Sequence, residues 1–279
     1  MATISYDSQD VLSAFSREHG ITFTLLSDPG SKAIKRFGLL NAVVEEALGA
    51  NRNDPAVQSE VRTFVSVVGV RSFMAGIAYP GTFILDRHGR VKERYFQESY
   101  IERNTISSIM IRSGSKSTPV MGTKVTGGHL EVTTFPSDTA VAPGNRISLV
   151  LDVKPTSGVH VYAPGATSYG YRVIKLQITP QPYVRVLPLR YPASQIFYFK
   201  PLKQRVPVYQ KPFPLVQDVV LEGTLPAQAA LRGKQNITIT GALEYQACDE
   251  KICFNPDSIP LSWTLALRPM VFERPIVQR

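Results

Sequence analysis

The sequence predicts an α/β region followed by an all-β region, and three observations carry that expectation. The first is length: 279 residues, 43% hydrophobic and 19% charged, suffice for two cores at roughly 100 to 200 residues per domain. The second is proline. Pro29, Pro55 and Pro80 precede Ser113, and the other eighteen of the 21 prolines follow it; proline breaks helix interiors but is tolerated at sheet edges and turns. The third is charge. Residues 1–112 hold 13 basic and 12 acidic side chains, net +1, whereas the remainder holds 18 and 10, net +8. This composition excludes a disordered or fibrous chain.

Along the first region, Thr3–Tyr6 is β-prone and runs into Asp7 or Ser8, either of which can cap a helix with Val11, Leu12 and Phe15 on one face and Gly20 as its stop. A strand follows in ITFTLLSD, then a turn and short helix in SDPGSKAIKRFG closed by Gly38. Residues 41–78 predict one helix between Pro55 and Val70. GTFILD and VKERYF, joined at Arg87–Arg90, form a hairpin, and a last helix runs from about Tyr100 to Arg112. The order β-α-β-α-(insert)-β-β-α predicts a small sheet with a helix on each face.

Residues 113–128, SGSKSTPVMGTKVTGG, are small, polar and aperiodic and read as a linker. Beyond them HLEVTTF, RISLVLDV, RVIKLQI, PLVQDVVLEG, NITITGALEYQA and IPLSWTLAL alternate or run apolar between Pro and Gly breaks, which predicts an antiparallel sandwich over 129–272 and a tail over 273–279. No stretch approaches the roughly 20 apolar residues that span a bilayer, and the N-terminus lacks the basic and apolar regions of a signal peptide. The cations of the second region are dispersed, with short groups such as Lys200, Lys203 and Arg205. They read as a solvated face that at most steers an acidic partner, not as a nucleic-acid patch.

The cysteine pair is the sharpest chemical signal. Cys248 and Cys253 are the chain's two cysteines, with four residues between them and an apolar run on either side, so any thiol chemistry of this chain uses them. Three readings stand open. A zinc site would need two further ligands, and His129 and His160 lie far away without metal-like spacing. A static staple would close a very short loop, worth on the order of 2 kcal/mol. A reversible dithiol would pass electrons through a mixed disulfide; Asp249 and Glu250 would disfavour a thiolate nearby and Lys251 would favour it. His19, beside a helix-ending glycine, and His88, in a turn, read as solvated. No cofactor or metal is expected.

Residues 3–112, and above all LLSDPGSKAIKRFG and PGTFILDRHGRV, resemble the later part of a redoxin of the peroxiredoxin (AhpC/TSA) class in the thioredoxin-like superfamily. The resemblance implies a cis Pro80, with Tyr79 before it, facing a vestigial redox site. In that family the reactive cysteine sits at a helix N-terminus upstream of TISYD, where thiol pKa is depressed. This chain carries no cysteine in its first half, so the half is expected to be inactive as it stands, either a fragment or a structural module.

GVHVYAPG, FYFKPLKQRVPVYQKPF and LEYQACDEKICFNPDSIPLSW resemble the N-terminal periplasmic domain of the DsbD thiol:disulfide interchange proteins, the disulfide bond corrector domain. The resemblance implies an immunoglobulin-like sandwich over 129–272 and a redox pair Cys248 and Cys253, flanked by Tyr245, Phe254 and Tyr162. It also implies an aromatic cap loop at Ile196–Lys203, with Phe197, Tyr198 or Phe199 as lid; the acidic residue of the family's cap has no counterpart in IFYFKPLK. The function implied is a thiol-disulfide oxidoreductase or electron relay of the bacterial envelope or periplasm. Its partner would be a thioredoxin-like or membrane-embedded exchange protein, with neither nucleic acid nor direct membrane insertion. The alternatives are a hydroperoxide-reducing antioxidant whose cysteine is missing from this chain, and a non-catalytic scaffold with a structural disulfide.

Overall fold

The computed structural model describes residues 1–65, 74–96, 101–114 and 122–270. Two compact units emerge, Met1–Arg103 with Gly223–Ala229 and Met270–Arg279, and Asn104–Glu222 with Ala230–Pro269. The tail expected over 273–279 lies outside the described residues, as do residues 115–121 of the linker, the end of the helix predicted to Val70 and the start of the one predicted from Tyr100.

In the first unit β1 (Ala2–Ser5) and β2 (Thr24–Ser27) pair in parallel, joined by α1 (Gln9–Glu18). Ser8 caps α1 by accepting the Val11 N–H. The chain then forms α2 (Lys32–Arg36), α3 (Ala42–Leu48) and α4 (Pro55–Val65), followed by the hairpin β3 (Gly81–Leu85) and β4 (Val91–Phe96). Helix α3 was not predicted. Its N-cap is Asn41, whose side chain accepts the Val44 N–H, and its buried Val44 packs with Met74 and Ile77 against Tyr6. Among the described residues β1–β2 and β3–β4 are separate two-stranded pairs instead of one sheet. The Tyr79–Pro80 bond is trans, contrary to the expected cis proline. Here the Tyr79 N–H donates to the Leu39 carbonyl at 2.7 Å, and Leu40 bridges Ala78, so the chain enters β3 extended.

After β5 (Arg103–Asn104) and α5 (Ile106–Arg112), the second unit is an immunoglobulin-like sandwich. Its strands are β6 (Thr123–Thr126), β7 (Leu130–Pro136), β8 (Ala140–Val141), β9 (Asn145–Pro155), β10 (His160–Tyr162), β11 (Lys175–Ile178), β12 (Val184–Val186), β13 (Gln195–Phe199), β14 (Gln204–Tyr209), β15 (Phe213–Leu221), β16 (Asn236–Tyr245), β17 (Ala247–Cys248) and β18 (Asp257–Leu267); α6 (Leu225–Leu231), which follows β15 in the chain, is counted up to Ala229 with the first unit. One sheet runs β12-β15-β9-β7-β6 and the opposing one β11-β16-β18-β8. Strand β6 falls within the stretch read as linker, because Val125 pairs with Val132 and packs against the core.

The core follows from period-two patterning. In β18, Ile259, Leu261, Trp263 and Leu265 point inward and are buried while alternate residues are exposed. They meet Leu149, Leu151 and Val153 of β9 and Leu215 and Val219 of β15 in one cluster. Burying each such side chain is worth about 1.5–3 kcal/mol. The one polar group that Trp263 brings inside is satisfied, because its indole N–H donates to Thr134 Oγ1 at 2.9 Å and that hydroxyl donates to the Val150 carbonyl. A third sheet, β13-β14-β10-β17, carries the cysteine pair.

Candidate functional site

The pair sits on a tight hairpin that holds the two sulfurs together. Asp249 N–H donates to the Ile252 carbonyl, Phe254 N–H donates to the Ala247 carbonyl, and Cys248 bridges Cys253 in antiparallel register. The Asp249 carboxylate accepts the N–H groups of Lys251 and Ile252, both at 2.7 Å. These backbone donors, Ile252 first, hold the Asp249 carboxyl below its ordinary range. Directly opposite residues of antiparallel strands present side chains to the same face, and the two cysteines are bonded, with Cα atoms 4.0 Å apart.

The two sulfurs do not share one environment. Cys248 is 1% exposed, packed among Tyr162, Ala166, Val206 and Val208 with Phe197 against the cluster, whereas Cys253 is exposed. Tyr162 connects them. Its body is buried beside Cys248, its hydroxyl lies 3.4 Å from Cys253 Sγ, and its ring stacks on Tyr171 at 4.2 Å. Burial first, then Tyr171, pushes the Tyr162 phenol up, so it stays protonated at any working pH.

The aromatic stretch expected as a cap loop is a strand. Gln195–Phe199 pairs with Gln204–Tyr209, and a 3-10 turn at Lys200–Leu202 makes the reversal. Ile-Phe-Tyr-Phe alternates as a strand does: Phe197 and Phe199 are half-buried while Ile196 and Tyr198 are exposed. Phe197 is opposite Val206, and its ring sits 4.4 Å from that of His160. Tyr198, opposite Arg205, faces away from Phe197.

Tyr245 and Phe254 flank the cysteines in sequence yet turn toward the main core. Tyr245 is 2% exposed and donates to Asp257 at 2.7 Å, while Phe254 stacks on His129 at 3.8 Å. Gly127 is required beside them, since a Cβ there would lie 2.4 Å from the Tyr245 hydroxyl and 2.8 Å from Ile259. Tyr79 and Pro80 belong to the first unit, which holds no thiol.

His160 was missed as a site residue. It is 2% exposed, directly opposite Cys248 in the β10–β17 register, and edge-on to Tyr162 at 5.5 Å. Burial pulls its imidazole pKa below the ordinary value, and the Asp249 charge offsets part of that. The alternation His160-Val161-Tyr162 was the available signal, because it puts the histidine on the face of Tyr162. Among the described residues no three His, Cys, Asp or Glu side chains group as a metal site.

Two family models match the chain. Residues 1–94 match the AhpC/TSA family, and residues 131–260 match the N-terminal region of the thiol:disulfide interchange protein DsbD. No match is found among curated proteins. Among solved structures, the N-terminal periplasmic domain of ScsB from Proteus mirabilis is similar at 14% identity and a TM-score of 0.36, covering 51% of this chain and 49% of that one. This chain therefore spans about half the length of that neighbour. The GAE domain of GGA2p from Saccharomyces cerevisiae is similar at 9% identity and a TM-score of 0.29, covering 51% and 96%.

Proposed function

We propose that the chain is a thiol-disulfide exchange module in which Cys253 is the sulfur attacked and Cys248 the sulfur released. The observation that carries this is the asymmetry of exposure, 1% at Cys248 against an exposed Cys253. Disulfide exchange requires a thiolate to approach one sulfur along the S–S axis, and only Cys253 offers that approach. A partner thiolate forms a bond to Cys253 Sγ as the Cys248–Cys253 bond breaks, and the electron pair goes to Cys248. The partner's second thiolate then attacks its own sulfur in the mixed disulfide and frees Cys253. Two electrons have passed from the partner dithiol to the pair, and the reverse sequence delivers them to an oxidised partner. The DsbD match over 131–260 supports the same chemistry.

The partner fitting this reading is a thioredoxin-like or membrane-embedded dithiol protein, and the compartment is the oxidising cell envelope, where a disulfide persists. No helix among the described residues is long and apolar enough to cross a membrane.

The test is a trapping experiment with a thioredoxin-like protein that lacks its own resolving cysteine and whose remaining cysteine is held as an aromatic mixed disulfide, so that a thiolate of this chain forms the new bond as the aromatic thiolate leaves. Cys248→Ser keeps the accessible sulfur and loses the resolving one, so it should accumulate a mixed disulfide, visible as a non-reducing gel shift. Cys253→Ser keeps only the buried sulfur and should trap at least tenfold less. Equal trapping would remove the assignment of roles. Absence of any adduct, with a disulfide that stays closed against reduced glutathione, would replace the exchange reading with the staple.

A further inference from the structure

Releasing Cys248 into a buried pocket poses a proton problem that the exchange chemistry does not itself solve. A thiol out of water ionises with difficulty, yet Cys248 must be a thiolate to close the ring again. The sheet register puts a proton-accepting group beside it. His160 is opposite Cys248 in β10–β17, and cross-strand pairs bring Cβ atoms to about 4.5–5.5 Å on one face. Cys253 bridges Cys248 on its other side, so His160, Cys248 and Cys253 form one row across three neighbouring segments. His160 is 2% exposed and packed under Phe197, so water has little access to its ring.

We propose that His160 accepts the proton of the Cys248 thiol when the ring closes and returns it when the ring opens; the inference rests on the exchange reading above. In the closing direction the mixed disulfide joins Cys253 to a partner sulfur. The Cys248 S–H proton moves to the neutral imidazole, and the thiolate attacks Cys253 Sγ. The Cys248–Cys253 bond forms, and the Cys253–partner bond breaks with its electron pair leaving on the partner thiolate. The imidazolium proton then passes to that thiolate or to solvent. In the opening direction the same proton goes from imidazolium to the departing Cys248 sulfur. Among the described residues, the ionisable groups set around the ring are Tyr162 on its own strand, Cys248 on the partner strand and Asp249 in the turn, while the covering hairpin presents Phe197. Tyr162 stays neutral and Asp249 is an anion that favours the imidazolium. Burial lowers the imidazole's proton affinity, which leaves it free to accept at neutral pH.

The experiment uses the reduced full chain and an aromatic disulfide that releases thionitrobenzoate. The first release reports attack by Cys253, and the second reports ring closure by Cys248. In the wild type the second phase should hold a plateau that begins below the ordinary imidazole range, because burial lowers the His160 pKa, and runs up to the ionisation of the thiol itself. His160→Phe keeps an aromatic ring against Phe197 but cannot accept a proton. Its second phase should be about a hundredfold slower at pH 7, rise tenfold per pH unit, and converge on the wild type at alkaline pH. A loss by the same factor at every pH, as a packing role would give, overturns the proposal, and so does an unchanged rate. If His160→Phe does not fold, His160→Gln is judged by the same profile, and a wild-type second phase without a plateau overturns the proposal by itself. Failure of electron transfer with a thioredoxin-like protein, with both phases intact, would sink the exchange reading and not the proton assignment.

Discussion

At the scale of single residues the site reduces to one accessible sulfur and the hydroxyl beside it. Tyr162 Oη lies 3.4 Å from Cys253 Sγ and its phenol remains protonated, so after reduction it can donate a hydrogen bond to the Cys253 thiolate. Hydrogen bonds to charged groups contribute roughly 1.5–3 kcal/mol. Tyr162→Phe should therefore raise the apparent thiol pKa of Cys253 by about one unit or more. The first thionitrobenzoate phase at pH 7 should slow about threefold, since the higher pKa cuts the thiolate fraction about tenfold but makes each thiolate more nucleophilic, and an unchanged thiol pKa with an unchanged first phase would show that the hydroxyl does not serve the thiolate. The cysteines were legible in the sequence because they are scarce and close together. His160 was not, since its partner Cys248 is 88 residues away and only the strand register, His160 opposite Cys248, brings them together.

At the scale of elements, what the sequence hid is equally non-local. A helix such as α1 was readable from a cap, an apolar face and a glycine stop, all within a dozen residues. The anchor of α5 was not, because it runs through Asp218 on β15. Asp218 is 2% exposed and receives Arg112 from α5 at 3.4 Å, Arg146 from β9 at 2.7 Å and Arg190 at 3.0 Å, while the Ser148 hydroxyl donates to it at 2.6 Å. Arg112 is itself 5% exposed, so neutralising the carboxylate would remove a negative charge set directly against a buried cation. Breaking one side of a buried pair usually costs about 3–5 kcal/mol, and the half-exposed Arg190 adds little to that. Asp218→Asn should thus lower the urea midpoint of the second unit's unfolding without changing the slope. A loss under about 1 kcal/mol would mean that the apolar sandwich, and not this cluster, holds the helix.

At the scale of the whole molecule, the two regions differ in proline and charge because those reflect how each is built. Eighteen prolines mark the strand-rich half, and the net charge of +8 there is dispersed over a sandwich surface. Thiols divide more sharply still. The AhpC/TSA match covers residues 1–94, a stretch with no cysteine, and the pair at Cys248 and Cys253 is all the thiol this chain has. Redox behaviour of the full chain should accordingly be that of one two-electron couple. Titration against glutathione should give a single transition in which about 30 mV changes the reduced-to-oxidised ratio tenfold. Replacing both cysteines by alanine should abolish electron exchange, and consumption of hydroperoxide by the full chain should match the buffer rate with or without those cysteines. Peroxide turnover that survives the double replacement would give the first unit a chemistry of its own, independent of thiols. Turnover that disappears with it would move the antioxidant role onto Cys253, the sulfur that solvent reaches.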